Sequence, residues 1–186
     1  MYNQDFGNST DLIDISAISG VEFDIKYASE DNFLGRKIYS KPYTLLHKDA
    51  AKRLENAAIY ARNSGYLLKI FDAFRPHEAQ VAMWNFLPDD NYISNPNSGP
   101  CSHCRGVALD ITLVNIGEKR ELDMGTPFDT FSEKSHHDYH NLSQKQRGNR
   151  IILAGIMSIS GFQSIRTEWW HYQLANLNNY PKYREF

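Results

Sequence analysis

The sequence is short of cysteine, of charge of one sign and of long apolar runs. Its two cysteines, Cys101 and Cys104, stand too close together to staple distant parts of a fold. A disulfide framework is thereby excluded, and reducing conditions should suit the chain. A formal charge of -2 provides no electrostatic grip on nucleic acid or an anionic membrane, so a small or neutral partner fits better. No stretch is long and apolar enough to span a bilayer. Residues Met1 to Asp14 carry Asp5, Asp11 and Asp14 but neither a basic leader nor an apolar run. No secretory signal is therefore expected, and the chain as written is expected in the cytoplasm. Repeats and low-complexity linkers are absent too, and the Pro-, Gly- and Asn-rich run from Pro88 to Pro100 is short enough to be a loop. With 186 residues, 41% of them hydrophobic, the expectation is one domain over 1–186 with one sizeable core.

What is present is an alternation of elements. Val21 to Ala28 places Val21, Phe23 and Ile25 between polar residues, which predicts a strand. His47 to Ser64 has Ala51, Leu54, Ala58 and Ala61 at helical spacing, with Gly65 as a stop. Tyr66 to Phe74 is apolar and aromatic and leads into Arg75-Pro76, where the proline can occupy the first turn of a helix running to about Phe86. Arg75 then stands at a strand-to-helix junction. Val107 to Val114 alternates again: Leu109, Ile111 and Leu113 share one face, Ala108, Asp110 and Thr112 the other. Ser143 to Ser160 reads as a helix with Ile151, Ile152, Gly155, Ile156 and Ile159 on its buried side, ended by Gly161. Arg166 to Leu174 is aromatic and strand-like. Several connections are too short for regular crossovers, so the class expected is α+β, a mostly antiparallel sheet packed with helices.

Chemistry gathers in two places. His103 precedes the strand that carries Asp110, and Glu168-Trp169-Trp170-His171 adds a second histidine with an acid close before it. Two histidines and one carboxylate are ligands zinc accepts, and they leave a fourth tetrahedral position, as in a catalytic rather than a structural site. The bland alternative for His103 and Asp110 is a satisfied, partly buried pair. Residues 168 and 171 point to opposite faces of a regular strand, so a bulge, twist or strand end must reconcile them if both serve one pocket. Trp169 and Trp170 read as core or pocket wall. Cys101-Ser102-His103-Cys104 has the spacing of a zinc or redox pair, but two cysteines cannot build a four-thiolate site in one chain. His136, His137 and His140 look like a metal cluster. His47 and His77 fall at helix starts.

Taken together, the segment His103 to Asp110 and the Glu168-Trp169-Trp170-His171 signature resemble the D-alanyl-D-alanine dipeptidases, including the type associated with vancomycin resistance. Further matching runs are Asp24 to Ala28 with Asp31-Asn32-Phe33, Asp72-Ala73-Phe74-Arg75-Pro76, and Asp123-Met124-Gly125-Thr126 through Phe128-Asp129 to Ser135-His136-His137. The resemblance spans almost the whole chain. It implies one zinc ion per chain held by His103, Asp110 and His171 in a cleft on the sheet. It also implies Glu168 as catalytic base and Arg75 as stabiliser of the transition-state charge, with Asp129 and, more weakly, Tyr27 on the substrate. Only by this resemblance, to a family whose counterpart segment holds no primary zinc ligand, is an outer-shell, packing or solvated-loop role expected of His136, His137 and His140. Zinc lowers the pKa of water from about 15.7 toward 7, so a nearby carboxylate can take the proton and return it to the leaving amine. A preorganised donor such as Arg75 is worth about 3 kcal/mol at an oxyanion. The reaction implied is hydrolysis of D-Ala-D-Ala to D-alanine. Alternatives from the same residues are a carboxypeptidase or endopeptidase acting on peptidoglycan stems, and a zinc-binding module without catalysis. The family usually has serine where this chain has Cys101, which alters one corner of the pocket.

Overall fold

A computed structural model of the chain describes residues 9–184; Asp5 lies outside them. In chain order its strands are β1 (Leu12–Asp14), β2 (Val21–Phe23), β3 (Leu45–His47), β4 (Tyr66–Asp72), β5 (Ala108–Asn115), β6 (Arg120–Glu121), β7 (Gln163–Ile165) and β8 (Glu168–Gln173). The helices are α1 (Lys48–Asn63), α2 (His77–Phe86) and α3 (Gln144–Ile159). The main sheet runs β2-β4-β5-β8-β7, with β6 on β5, and β1 and β3 form a separate pair. Only the β2–β4 contact is parallel among the described pairings. The protein is α+β with a mostly antiparallel sheet, as the sequence predicts.

Each helix follows from local chemistry. His47 caps α1 by accepting from the Asp49 amide at 3.2 Å, and Gly65, at φ +87°, takes the left-handed turn that ends it. The buried side of α1 is mostly alanine, Ala50, Ala51, Ala57, Ala58 and Ala61 around Leu54, and α1 packs on β4. Pro76 stands just outside α2 as its cap rather than in the first turn. Ser143 and Gln146 close a capping box on α3.

Three further expectations are corrected. The strand predicted over Val21 to Ala28 stops at Phe23, and Lys26–Ala28 forms a 3-10 turn. The Tyr27 carbonyl there accepts from the Ile38 and Tyr39 amides, which takes the chain off the sheet and turns the Tyr27 side chain inward. On α3 the buried stripe is Asn149, Arg150, Leu153, Ile156 and Met157. Ile151 and Ile159 are each 65% exposed, and Gly155 is exposed. Arg150 sets this rotation: its guanidinium donates to the carbonyls of Met124, His136 and Lys134, so a cation fills the place apolar counting gave to isoleucine. Finally, Cys101 and Cys104 are joined in a disulfide rather than held as thiols. The link is local, consistent with a spacing that could not staple distant segments.

The rotation of α3 is directly testable. Leu153→Ala should cost about 2–5 kcal/mol in urea unfolding, whereas Ile151→Lys and Ile159→Lys should stay within about 0.5 kcal/mol of the parent. Comparable losses at all three positions would put the isoleucines back in the core.

Candidate active site

Sheet register brings the first functional groups together. Asp110 on β5 is paired with His171 on β8, and on its other side with Asp72 at the end of β4, where an irregularity follows Ile70. Adjacent strands thus set three polar side chains in a row. His103 arrives from a 3-10 turn over His103–Arg105, ended by Gly106 at φ +63°. Its carbonyl accepts from the Arg75 amide at 3.2 Å, which ties that turn to the β4–α2 junction. On β8 the conflict between residues 168 and 171 is resolved at the strand's start. The β7 pairing jumps from Ser164↔Tyr172 to Ile165↔Glu168, and both Glu168 and His171 line one cavity.

His103, Asp110 and His171 are, among the described residues, the one group of three or more such side chains placed to share a metal ion. The distance from His103 Nε2 to His171 Nδ1 is 3.2 Å, from His171 Nδ1 to Asp110 Oδ1 3.2 Å, and from His103 Nε2 to Asp110 Oδ1 3.3 Å. Tetrahedral zinc with bonds of about 2.0–2.1 Å separates its ligands by about 3.3–3.4 Å, so this triangle fits that ion. The far ring nitrogens are engaged as metal-bound imidazoles require. His103 Nδ1 donates to the Ala73 carbonyl at 2.7 Å, and His171 Nε2 faces Gln173 Oε1 at 3.0 Å and Ser102 Oγ at 3.3 Å. Burial pushes the Asp110 carboxyl up, but the two imidazoles outweigh it and hold that group well below the usual carboxylate range. Burial disfavours charge on His171 as well, and Asp110 reverses the balance so that its pKa rises.

Around this triangle stand the other sequence-predicted residues. Glu168 Oε2 lies 3.9 Å from His171 Nδ1, and burial pushes its carboxyl up to about 7, against the pull of His171. Arg75 Nη2 is 3.6 Å from Asp110 Oδ2. Burial alone would lower the Arg75 pKa, but Asp72 more than compensates and keeps it a cation. Asp129 accepts from the Tyr27 hydroxyl at 2.8 Å, holds a left-handed backbone at φ 57°, and has its pKa raised well above its ordinary value by burial. Tyr27 also lies under the Arg75 guanidinium, 5.2 Å from its carbon. All seven residues line one cavity of about 260 Å³, with Phe33, Tyr92, Ile93, Phe131 and Trp170 among its apolar walls. Trp170 is thus pocket wall, while Trp169 donates to Thr126 Oγ1.

Sequence reasoning assigned no role to Asp72, Gln80, Ser102 or Gln173. Asp72 carried a signal, three residues before Arg75 across a strand end. The others are ordinary polar residues whose partners come from elsewhere in the chain. The histidines at 136, 137 and 140 form no metal group; His136 and His140 accept arginine donors through their carbonyls, and His137 donates its amide to Arg166.

The fold and the site define a class: an α+β protein with a buried His–Asp–His cluster able to hold a metal, set beside a glutamate and a guanidinium, the donor set of a metal-dependent hydrolase. The sequence profile of the D-ala-D-ala dipeptidase family matches residues 8–186. The chain is similar to a D-alanyl-D-alanine dipeptidase of Escherichia coli, 38% identical over 94% of this chain and 90% of the relative. It is also similar to proteins of that name from Enterococcus faecalis and Enterococcus faecium, 35% and 33% identical over 86% of this chain and 88% of each relative. The chain belongs to the D-alanyl-D-alanine dipeptidase family.

In the metal-free protein, the buried Glu168 should act against the fold. Its folded pKa of about 7 exceeds the ordinary 4.5, so stability is intact below about pH 4.5 and is lost as pH rises through 7, by about 3 kcal/mol at pH 8. Metal-free Glu168→Gln should therefore melt above metal-free wild type at pH 8, with the gap closing toward pH 4.5. A gap independent of pH would show that ionisation of this carboxyl is not penalised.

Proposed function

We propose that this protein is a zinc-dependent dipeptidase that hydrolyses D-Ala-D-Ala to D-alanine. The observation that carries the reading is the three-donor triangle of His103, Asp110 and His171, with the Glu168 carboxyl facing the same small cavity. The first three residues would hold zinc, which when bound acts as a Lewis acid and brings the pKa of water from 15.7 to about 7. Glu168 accepts the proton of the attacking water and delivers it to the departing amine. Arg75 donates to the oxygen that becomes negative as the scissile carbonyl turns tetrahedral. Asp129 accepts from the substrate's free ammonium group by a charge-assisted hydrogen bond, with the Tyr27 hydroxyl holding its carboxyl in place.

The cavity, at about 260 Å³, has room for a ligand the size of a dipeptide, just below the roughly 300–1,000 Å³ of pockets for drug-sized ligands. A carboxylate at the amine end favours a free dipeptide, because an acylated amine brings no positive charge to meet it.

Zinc-loaded protein should release D-alanine from D-Ala-D-Ala, and chelated protein should not. L-Ala-L-Ala, an N-blocked D,D-dipeptide and a stem pentapeptide should be poor substrates; faster turnover of the pentapeptide would instead identify a carboxypeptidase. Glu168→Ala should retain zinc and lose about 10²–10⁴-fold in kcat, whereas His171→Ala should lose the metal. Wild-type turnover in Glu168→Ala would refute the assigned base.

A further inference from the structure

Gln80 lies in the first turn of α2, five positions after Arg75, and is 1% exposed. Both ends of its amide are engaged. Its Oε1 accepts from Arg75 Nη1 at 2.9 Å, and its Nε2 donates to the Ser94 carbonyl at 2.6 Å. The orientation is forced, because a guanidinium offers only donors and a carbonyl only an acceptor. Turning the amide over would set donor against donor and acceptor against acceptor.

The other side of Arg75 is held by Asp72, whose Oδ2 accepts from Nε at 3.0 Å and Nη2 at 2.8 Å. Asp72 is fixed in turn through Oδ1, by the Tyr39 hydroxyl at 2.7 Å and the Ala73 amide at 3.0 Å. A carboxylate gripping one edge leaves the guanidinium free to tilt about that edge. The bond to Gln80 comes from a different direction and removes this freedom. What remains is a second N–H on each of Nη1 and Nη2, beside Asp110 and the cavity.

Ser94 belongs to the loop over residues 87–102, and it lines the cavity together with Tyr92 and Ile93. That loop is held from several sides. Ser94 Oγ accepts from the Cys101 amide at 3.1 Å, and Lys182 Nζ donates to the carbonyls of Pro96 at 3.3 Å and Gly99 at 3.2 Å. A Cβ on Gly99 would come within 2.3 Å of Ser94 Oγ, a measure of how closely the loop folds on itself. Gln80 is therefore the side chain that joins this wall of the cavity to the arginine.

We infer that Gln80 is a positioning residue: it fixes the aim of Arg75 into the cleft and makes that aim depend on the order of the loop over 87–102. The inference rests on the reading of Arg75 as the donor to the developing oxyanion. Since a misplacement on the order of 1 Å can cost about 10²-fold in rate, the loss of Gln80 should appear in kcat rather than in KM.

The test compares Gln80→Met, which matches glutamine in length without its polar ends, and Gln80→Glu, which keeps the acceptor for Arg75 but not the donor to Ser94. Gln80→Met should lower kcat for D-Ala-D-Ala by about 10- to 100-fold, with KM within about threefold and zinc content equal to wild type. Gln80→Glu should recover kcat only in part relative to Gln80→Met, because it restores the acceptor for Arg75 without the tie to Ser94, and both variants should lose amide-exchange protection in the loop. Wild-type kcat in Gln80→Met, or no recovery in Gln80→Glu, would overturn the inference. A second readout needs no turnover: the Arg75 Nε–H resonance should be sharp and slow to exchange in wild type and broadened in Gln80→Met. An unchanged resonance would overturn the inference even if Gln80→Met were inactive. A zinc-loaded wild type that fails to release D-alanine would refute the proposed dipeptidase, leaving the resonance to decide the coupling of Gln80 to Arg75.

Discussion

Everything around the site answers one constraint, the burial of Asp72, Arg75, His103, Asp110, Glu168 and His171 in a single patch. A buried charge is tolerated only when paired and hydrogen-bonded. Here the signs interlock: Arg75 lies on Asp72, and Asp110 lies between two imidazoles. Glu168 has the loosest pairing, a 3.9 Å approach to His171, and is the member whose proton affinity climbs to neutrality. In the metal-free protein the same imbalance makes it costly to the fold, and it is the group proposed above as the base.

The backbone pays close attention to where His103 sits. Its turn is bonded on several sides: Gly106 accepts from the His47 amide at 2.7 Å, Cys104 accepts from the Tyr183 amide at 2.8 Å, and the imidazole reaches the Ala73 carbonyl. Gly106 has to be glycine at this crossing, since a Cβ would meet Leu12 Cδ2 at 2.5 Å and the His47 nitrogen at 2.9 Å. The disulfide from Cys104 to Cys101 connects the same turn to the cavity loop. Segments from both ends of the chain thus converge on His103, which a site of ångström-scale tolerance needs.

Much of this was legible in the sequence, for identifiable reasons. Helix α1 and strand β5 carry their own caps and alternation, and those signals are local. The three metal-compatible residues prove little by themselves in the sequence and were readable only through the family resemblance that several ordered motifs carry; the register of β5 with β8 then supplied the geometry. The buried face of α3 was misread because Arg150 satisfies its donors on carbonyls far away in sequence, which no hydrophobic count detects. The end of β2 was misread because the bonds that draw the chain off the sheet come from Ile38 and Tyr39. Gln80 gave no signal, since its importance lies wholly in two partners, Arg75 and Ser94.

Asp129 shows how two independent demands can close a position to change. Its left-handed backbone at φ 57° is entered readily only by glycine, asparagine and aspartate. Its proposed place at the amine end of the substrate admits only an acid. The two sets overlap in a single amino acid, so a lineage that lost this aspartate could regain the charge only by rebuilding the loop around it.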